Sequence, residues 1–362
     1  MPMKLKFWRE RLQLANTWTI ARGSTNLFEV VMVELSTRDG LVGTGEASPI
    51  SRYHEAPATV EDFFKRVNAD RLSFEDVAAS MNYLDTLSPG DMSAKCALNI
   101  ALLDGAARRS RQAVYDFLGL GFRENHHVTS FSIGIAEPEV IREKVRAADM
   151  YPVLKLKVGV PGEQAILAAL REVAPTKTIR LDANEGWKTK EQALERLEWL
   201  ATDGHIQFVE QPLPQAAKPQ DLVWLKERSP LPLFADESYH SARDLAHCAE
   251  CFHGVNVKLV KTGGVSAGFE ALKAARGAGL KTMIGCMIET SVLISAAAHL
   301  AELCDFLDVD GNLLTTNDPY AGVSAQRGIL SFQGATEKSG LRVKRIAAPP
   351  VGAPASAGIT NV

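Results

Sequence analysis

From about residue 127 the chain alternates short apolar runs with longer stretches of helical periodicity. β-type runs fall at 129–135, 153–158, 178–182, 206–210, 232–236, 255–260, 281–285 and 305–309. Between them, apolar residues recur at helical spacing over 161–173, 190–202, 217–229, 241–251, 266–278 and 291–303. Strands alternating with helices predict a parallel sheet with helical crossovers. Eight such strands close naturally into a barrel, and roughly 185 residues is compact for one. Its βα loops must be short, which leaves the barrel mouth open for another unit to cover.

The first 125 residues supply that unit. EVVMVELSTRDGLVGTGEASP contains two β-rich runs joined at Arg38-Asp39-Gly40, a hairpin signal. Met92 to Gly119 is an Ala- and Leu-rich helical stretch with an arginine-containing turn, and its alanines suggest close packing. After Asp310 the pattern turns irregular, and 328–345 looks like β structure returning to the first unit. The tail from Ala347, rich in Ala, Pro and Gly, has little apolar surface to bury and is expected to be mobile. The predicted fold class is α/β: an α+β capping domain (1–125), a (β/α) barrel carrying the chemistry (126–325), and a C-terminal return plus flexible tail (326–362).

Five consecutive β runs end in one ionisable residue each: Lys157, Asp182, Glu210, Asp236 and Lys258. In a parallel barrel those positions lie at the C-terminal rim, where barrel chemistry resides. Asp182, Glu210 and Asp236 would repel one another strongly in a low-dielectric site. A divalent cation removes the repulsion, and an all-oxygen ligand set points to Mg²⁺, with Mn²⁺ as a substitute. Taken singly, each acid reads better as an ordinary strand-end residue; three in register do not.

Lys155 and Lys157 alternate on one strand, so both face inward while Leu154, Leu156 and Val158 face the helices. Paired ammonium groups are expected to lower each other's proton affinity, which suits a base. Lys258 follows four strands later, half the circumference away, so it faces Lys157 across the mouth. A substrate held between them meets a base on each face of one carbon, and proton removal from one face with return to the other inverts that carbon. A carboxylate's α-proton is weakly acidic because the enediolate concentrates charge, and a divalent cation offsets this by several kcal/mol. Lys261, three residues on, is expected in a loop. Asp308 and Asp310 alternate at the eighth strand and aim at the mouth. Two carboxylates there suit an α-ammonium group.

Composition adds exclusions. The 46% hydrophobic and 23% charged content is that of a globular protein. A net charge of −3 gives no electrostatic reason for nucleic acid or an anionic membrane as partner. No apolar run reaches the roughly 18 residues of a membrane span, and MPMKLKFWRERLQLAN lacks a secretion signal's apolar core. Five cysteines form no disulfide framework, so a reducing cytoplasm is expected. Cys248 and Cys251, with His247 and His253 beside them, make a lone CxxC inside a helix rather than a zinc site. Gly263-Gly264 reads as a tight turn rather than a phosphate cradle.

The motifs TIARGS (19–24), GTGEASPISRY (43–53), Lys155-x-Lys157, LDANEGW (181–187), EQP (210–212), ADES (235–238), VNVKLVKTGG (255–264), GCMIETS (285–291) and DVDGNLL (308–314) carry a resemblance. From about 16 to 325 the chain resembles the enolase superfamily, muconate-lactonising subgroup, and most closely its dipeptide epimerases of the L-Ala-D/L-Glu type. The resemblance implies a capped, modified TIM barrel, Mg²⁺ on Asp182, Glu210 and Asp236, and Lys157 and Lys258 as acid/base pair. It implies that Lys155 helps hold the substrate carboxylate, that Asp308 and Asp310 bind the dipeptide ammonium, and that Ser132 contacts substrate. Arg22 lies near the site, but Thr25 stands where relatives place a loop arginine, so an acidic second residue is not implied. Arg52, Tyr53 and His54 are alternative readers of that side chain, and Glu237 and Glu289 fall near the site without assigned roles.

Rival expectations remain distinct. A muconate cycloisomerase or o-succinylbenzoate synthase of the same subgroup has no use for Asp308 and Asp310. A Schiff-base enzyme would work in excess chelator. A non-catalytic metal-binding module would tolerate loss of Lys157. A homo-oligomer is compatible with the sequence.

Overall fold

The computed structural model describes residues 3–21 and 23–346. Arg22 and the tail from Ala347 lie outside the described residues. The chain opens with β1 (Lys4–Ile20), antiparallel to β2 (Gly23–Ser36), which pairs in turn with β3 (Val42–Ala47). The hairpin at Arg38-Asp39-Gly40 closes with Thr37 N–H to Leu41 O at 3.0 Å, and Gly40 takes the left-handed φ of +85° the turn requires. The sequence pointed to β2 and β3 but not to the 17-residue β1, whose alternation is blurred by charges and a register break between Gln13 and Trp18.

Helices α1 (Pro57–Arg66), α2 (Val77–Leu87) and α3 (Met92–Arg109) complete the cap. The alanines of α3 do pack closely. A Cβ on Gly45 would fall 1.9 Å from Ala97 O, and one on Gly43 would fall 2.0 Å from Ala101 O. Strand and helix backbones therefore meet with neither side chain between them.

Eight parallel strands follow in sequential order: β4 (Phe131–Ile133), β5 (Val153–Lys157), β6 (Thr178–Asp182), β7 (Ile206–Glu210), β8 (Leu233–Ala235), β9 (Gly254–Lys258), β10 (Lys281–Gly285) and β11 (Phe306–Asp308). Each lies within two residues of its predicted ends. Strand β9 stops at Lys258 because Leu259–Thr262 turns at once into a helical turn. The helix read over 291–303 is likewise shorter, Ser291–Ala298, followed by a 3₁₀ turn at Ala301–Leu303. The barrel floor is filled by Phe208, Phe234 and Met283, with Phe306 against them.

Closure between β4 and β11 is incomplete. The two strands meet at a Thr129–Leu307 bridge, with Ser130 N–H donating to Leu307 O at 3.1 Å. Side chains supply the rest. Thr129 Oγ1 accepts from Val309 N–H at 2.8 Å, and Ser130 Oγ donates to Asp308 at 2.7 Å.

After the barrel, Tyr320–Ala321 pairs with Lys344–Arg345, and Ser324–Gln326 forms a hairpin with Ile329–Ser331. Contacts to the cap follow: Leu341 N–H donates to Asp104 at 2.8 Å, and Arg345 pairs with Glu10 at 2.9 Å. The cap docks on the barrel through buried polar groups. Glu46 of β3 accepts from Thr290 N–H at 2.8 Å and Leu293 N–H at 3.2 Å, capping the helix Ser291–Ala298. Ser48 donates to Ile288 O at 3.0 Å. Burial pushes the Glu46 carboxyl up to about 7 despite these donors. Among the described residues no helix is long and apolar enough to cross a membrane.

Candidate active site

The barrel register brings the predicted residues together. Lys157 on β5 pairs with Asp182 on β6, which pairs with Glu210 on β7, so all three emerge at one level of the rim. Asp236 emerges one residue past β8. Carboxylate oxygens of Asp182, Glu210 and Asp236 lie within 4.8 Å of one another, and all three residues are buried. Among the described residues this is the one acidic, Cys or His cluster with metal-ligand spacing.

The lysines attach to the two outer members. Lys157 Nζ donates to Asp182 Oδ2 at 2.6 Å, and Lys258 Nζ donates to Asp236 Oδ2 at 2.7 Å. Strands β5 and β9 are four apart in an eight-stranded barrel, so the two amines approach the trio from opposite sides of the mouth.

Lys155 sits two residues below Lys157 and spans the site. Its Nζ is 2.7 Å from Asp308, 2.6 Å from Glu210 and 3.1 Å from Asp182. Burial alone would lower its proton affinity, but Asp308, Glu210 and Asp182 outweigh that and hold it well above the ordinary lysine range. The depression expected from two adjacent amines is therefore overturned at Lys155, because carboxylates outnumber amines around it. Lys258 is also raised, by Asp236 and Glu210 against burial.

The acids divide. Burial is outweighed at Asp182 by Lys157 and Lys155, and at Asp236 by Lys258 and Lys261, so both are held well below the usual carboxylate range. Glu210 goes the other way: burial and then Asp182 push it up to about 8. Its Oε2 lies close to Lys155 but without hydrogen-bond alignment. One buried oxygen of the trio thus lacks an aligned donor. An all-oxygen set of this kind fits a hard divalent cation.

Lys261 departs from expectation. It is buried on the turn Leu259–Thr262, not in a loop, and its Nζ is 2.6 Å from Asp236 Oδ1 and 2.5 Å from Asp236 O. Sequence reasoning also passed over the residues that orient the acids. Asn256 Nδ2 donates to Glu210 Oε1 at 2.6 Å. A Cβ on Gly285 would strike the Asn256 amide at 2.6 Å, so glycine there makes room for it. Gln211 Oε1 accepts from Asp236 N–H and Ser238 N–H at 3.0 and 3.1 Å. The Asn256 signal was available, since alternation places it inward two residues before Lys258.

Asp308 and Asp310 both line the mouth but are not equivalent. Lys155 and Ser130 hold Asp308 low against burial. Asp310 accepts from Ser132 N–H at 2.6 Å, and burial followed by the nearby Asp308 pushes it up to about 7. Ser132 Oγ is 3.4 Å from the same carboxylate.

Lys155, Lys157, Asp236, Lys258, Asp308, Asp310 and Ser132 open on one cavity of about 770 Å³ beneath the cap, as the short βα loops predicted. The cap contributes Trp18, Ile20, Phe28, Ile50 and Tyr53 to its wall. Thr25 is there too, with its hydroxyl donated to Leu27 O at 2.8 Å. Arg52 is held by Glu185 through bonds of 3.0–3.2 Å, and Tyr53 stands edge-on to His240. His54 closes the 3₁₀ turn Ser51–Tyr53 in a left-handed conformation. Glu237 lines the cavity beside Asn184, whereas Glu289 lies behind it, accepting from Met287 N–H at 2.9 Å and pushed up to about 8 by burial and then Glu46. The predicted Arg22 falls outside the described residues. Cys248 Sγ donates to Ser238 O, and His253 Nδ1 accepts from Leu233 N–H, so both groups bond the backbone of neighbouring segments.

Comparisons with known proteins agree with this arrangement. Residues 3–119 match the mandelate racemase / muconate lactonizing enzyme N-terminal domain, and 139–316 match the enolase C-terminal domain-like family. An L-Ala-D/L-amino acid epimerase from Pedosphaera parvula (strain Ellin514) is 63% identical over 345 residues, covering 94% of this chain and 99% of its own. The dipeptide epimerase of Enterococcus faecalis V583, solved with Mg and L-Leu-L-Tyr, superposes with a TM-score of 0.86 at 29% identity, covering 95% of this chain and all of its own. The L-Ala-D/L-Glu epimerase of Bacillus subtilis, solved with substrate, gives 0.87 at 27% identity, covering 96% and 99%. This chain belongs to the dipeptide epimerases of the mandelate racemase / muconate lactonizing enzyme family, within the enolase superfamily.

Proposed function

We propose that the protein epimerises dipeptides at the α-carbon of the C-terminal residue by a two-base 1,1-proton transfer. One observation carries the proposal: two buried lysines reach the outer carboxylates of a compact acidic trio from strands half a barrel apart. Lys157 takes the α-proton from one face, and Lys258 delivers a proton to the other; the reverse direction exchanges their roles. Asp182, Glu210 and Asp236 would hold Mg²⁺, with Mn²⁺ as a substitute. When bound, that cation supplies Lewis-acid stabilisation of negative charge on the substrate carboxylate. Lys155 fixes the trio against Asp308 and stands ready to share the substrate carboxylate's charge. Asp310, with Ser132, receives the α-ammonium group, and Asp308 lies beside it.

Support for a dipeptide comes from the relatives named above, which act on or bind dipeptides, and from the two aspartates, which a cyclising enzyme of the same subgroup would not need. The apolar cap wall around Trp18, Ile20 and Phe28 favours a neutral C-terminal side chain over an acidic one. The five cysteines are free, which suits a reducing cytoplasm. The test is incubation with Mg²⁺ and a dipeptide library in D₂O. Mass gains of one unit per epimerised dipeptide are expected. Cyclisation or dehydration of an aromatic acid with no dipeptide exchange would contradict the proposal.

A further inference from the structure

Beside the active-site cavity lies a second one of about 290 Å³, in the seam where β4 and β11 separate. Above the Thr129–Leu307 bridge the two strands exchange no ladder bonds, and Ser132 N–H donates instead to the Asp310 side chain. The cavity consequently touches successive residues of β4: Phe131 and Ile133 from one face, Ser132 from the other. In a continuous sheet a neighbouring strand, about 4.8 Å away, occupies that space. Leu14 of the cap, Leu313 and Ala148 make the remaining wall largely apolar, and the charged Glu143 and Lys144 belong to the helix Pro138–Ala147.

Three residues, Trp18, Ser132 and Leu314, line both cavities. Ser132 is the residue bonded to Asp310, the carboxylate assigned above to the α-ammonium. An α-carbon is one bond from its ammonium nitrogen. The N-terminal residue of a bound dipeptide therefore begins its side chain at this partition.

We propose that the seam cavity is the subsite for the N-terminal side chain, and that the enzyme accepts dipeptides beginning with a bulky apolar residue such as Leu or Phe. The assignment rests on the dipeptide-epimerase proposal. A dry cavity of roughly 150 Å³ lined by aliphatic side chains holds benzene, so 290 Å³ accommodates either side chain.

The experiment compares kcat/KM for L-Ala-L-Ala, L-Leu-L-Ala and L-Phe-L-Ala in wild type and in Ala147→Phe and Val140→Phe. Both substitutions fill the cavity from the helix Pro138–Ala147, Val140 is 39% exposed, and neither residue belongs to the proposed catalytic set. Wild type is expected to use L-Leu-L-Ala at least as well as L-Ala-L-Ala. Each variant should lose about tenfold or more on the Leu and Phe substrates while keeping L-Ala-L-Ala within about twofold. Equal losses on all substrates, or wild-type discrimination against Leu of more than about tenfold, overturn the assignment and leave the epimerase proposal standing. Tripeptides processed by wild type as efficiently as L-Leu-L-Ala, and lost in the variants, show that the cavity takes a chain extension and also overturn it. Absence of exchange with any dipeptide overturns both.

Discussion

Lys261→Met tests the charge balance of the acidic trio. The ammonium it removes is fully buried, 2.6 Å from Asp236 Oδ1 and 2.5 Å from Asp236 O. At an effective dielectric of about 20, two unit charges that close attract by roughly 6 kcal/mol. Removing one partner of a buried pair typically costs about 3–5 kcal/mol, because the other is left uncompensated. Asp236 keeps Lys258 at 2.7 Å, so the lower figure, about 3 kcal/mol, is expected in chelator. A divalent cation at the trio would supply the missing positive charge. With saturating Mg²⁺ the deficit should shrink to about 1 kcal/mol. By linkage, the recovered 2 kcal/mol or so appears as Mg²⁺ binding about 30-fold tighter in the variant. Guanidinium unfolding in EDTA and in Mg²⁺, with calorimetric titration of Mg²⁺ into both proteins, measures the two sides. A deficit of equal size with and without Mg²⁺ refutes the reasoning and makes Lys261 a packing residue.

Other outcomes follow from the same geometry. Glu46 is pushed from 4.5 to about 7 by burial, so the stability it contributes is complete below about pH 4.5 and lost as pH rises through 7, an interval of about 3 kcal/mol. Glu46→Gln should accordingly gain stability relative to wild type as pH climbs from 5 to 8; a pH-independent difference contradicts this. Asp310, pushed up to about 7, should give wild-type kcat/KM a rise through pH 7 as its charge develops. In Asp310→Asn that limb should vanish and kcat/KM fall by about 10- to 100-fold, the worth of a charged hydrogen bond; a retained limb assigns it elsewhere. EDTA should abolish α-deuterium exchange and Mg²⁺ restore it, whereas full activity in chelator, with borohydride trapping, would favour Schiff-base chemistry.

The barrel was legible because its period is simple. Each of Lys157, Asp182, Glu210, Asp236 and Lys258 terminates an apolar run, and parallel strands put run ends on one rim. Alternation likewise oriented Lys155 and Asp308. What resisted reading depends on contacts remote in sequence or on a change of period. Lys261 was misplaced because β9 switches to a helical turn directly after Lys258, a phase change the continuous apolar run VNVKLV conceals. Glu46 looks like an ordinary strand residue until β3 meets the helix Ser291–Ala298 across 244 positions. The proton affinity of Lys155 could not be read from its neighbour Lys157, because Asp308 arrives 153 residues later to reverse the sign.

The most direct test of the two-base claim is α-deuterium exchange in D₂O with Lys157→Ala and Lys258→Ala, each given the separate L and D epimers of one dipeptide. Both variants should lose epimerisation, yet each should still exchange one epimer, and not the same one. Exchange of the same epimer by both variants, or epimerisation surviving in either, would contradict a site with a base on each face.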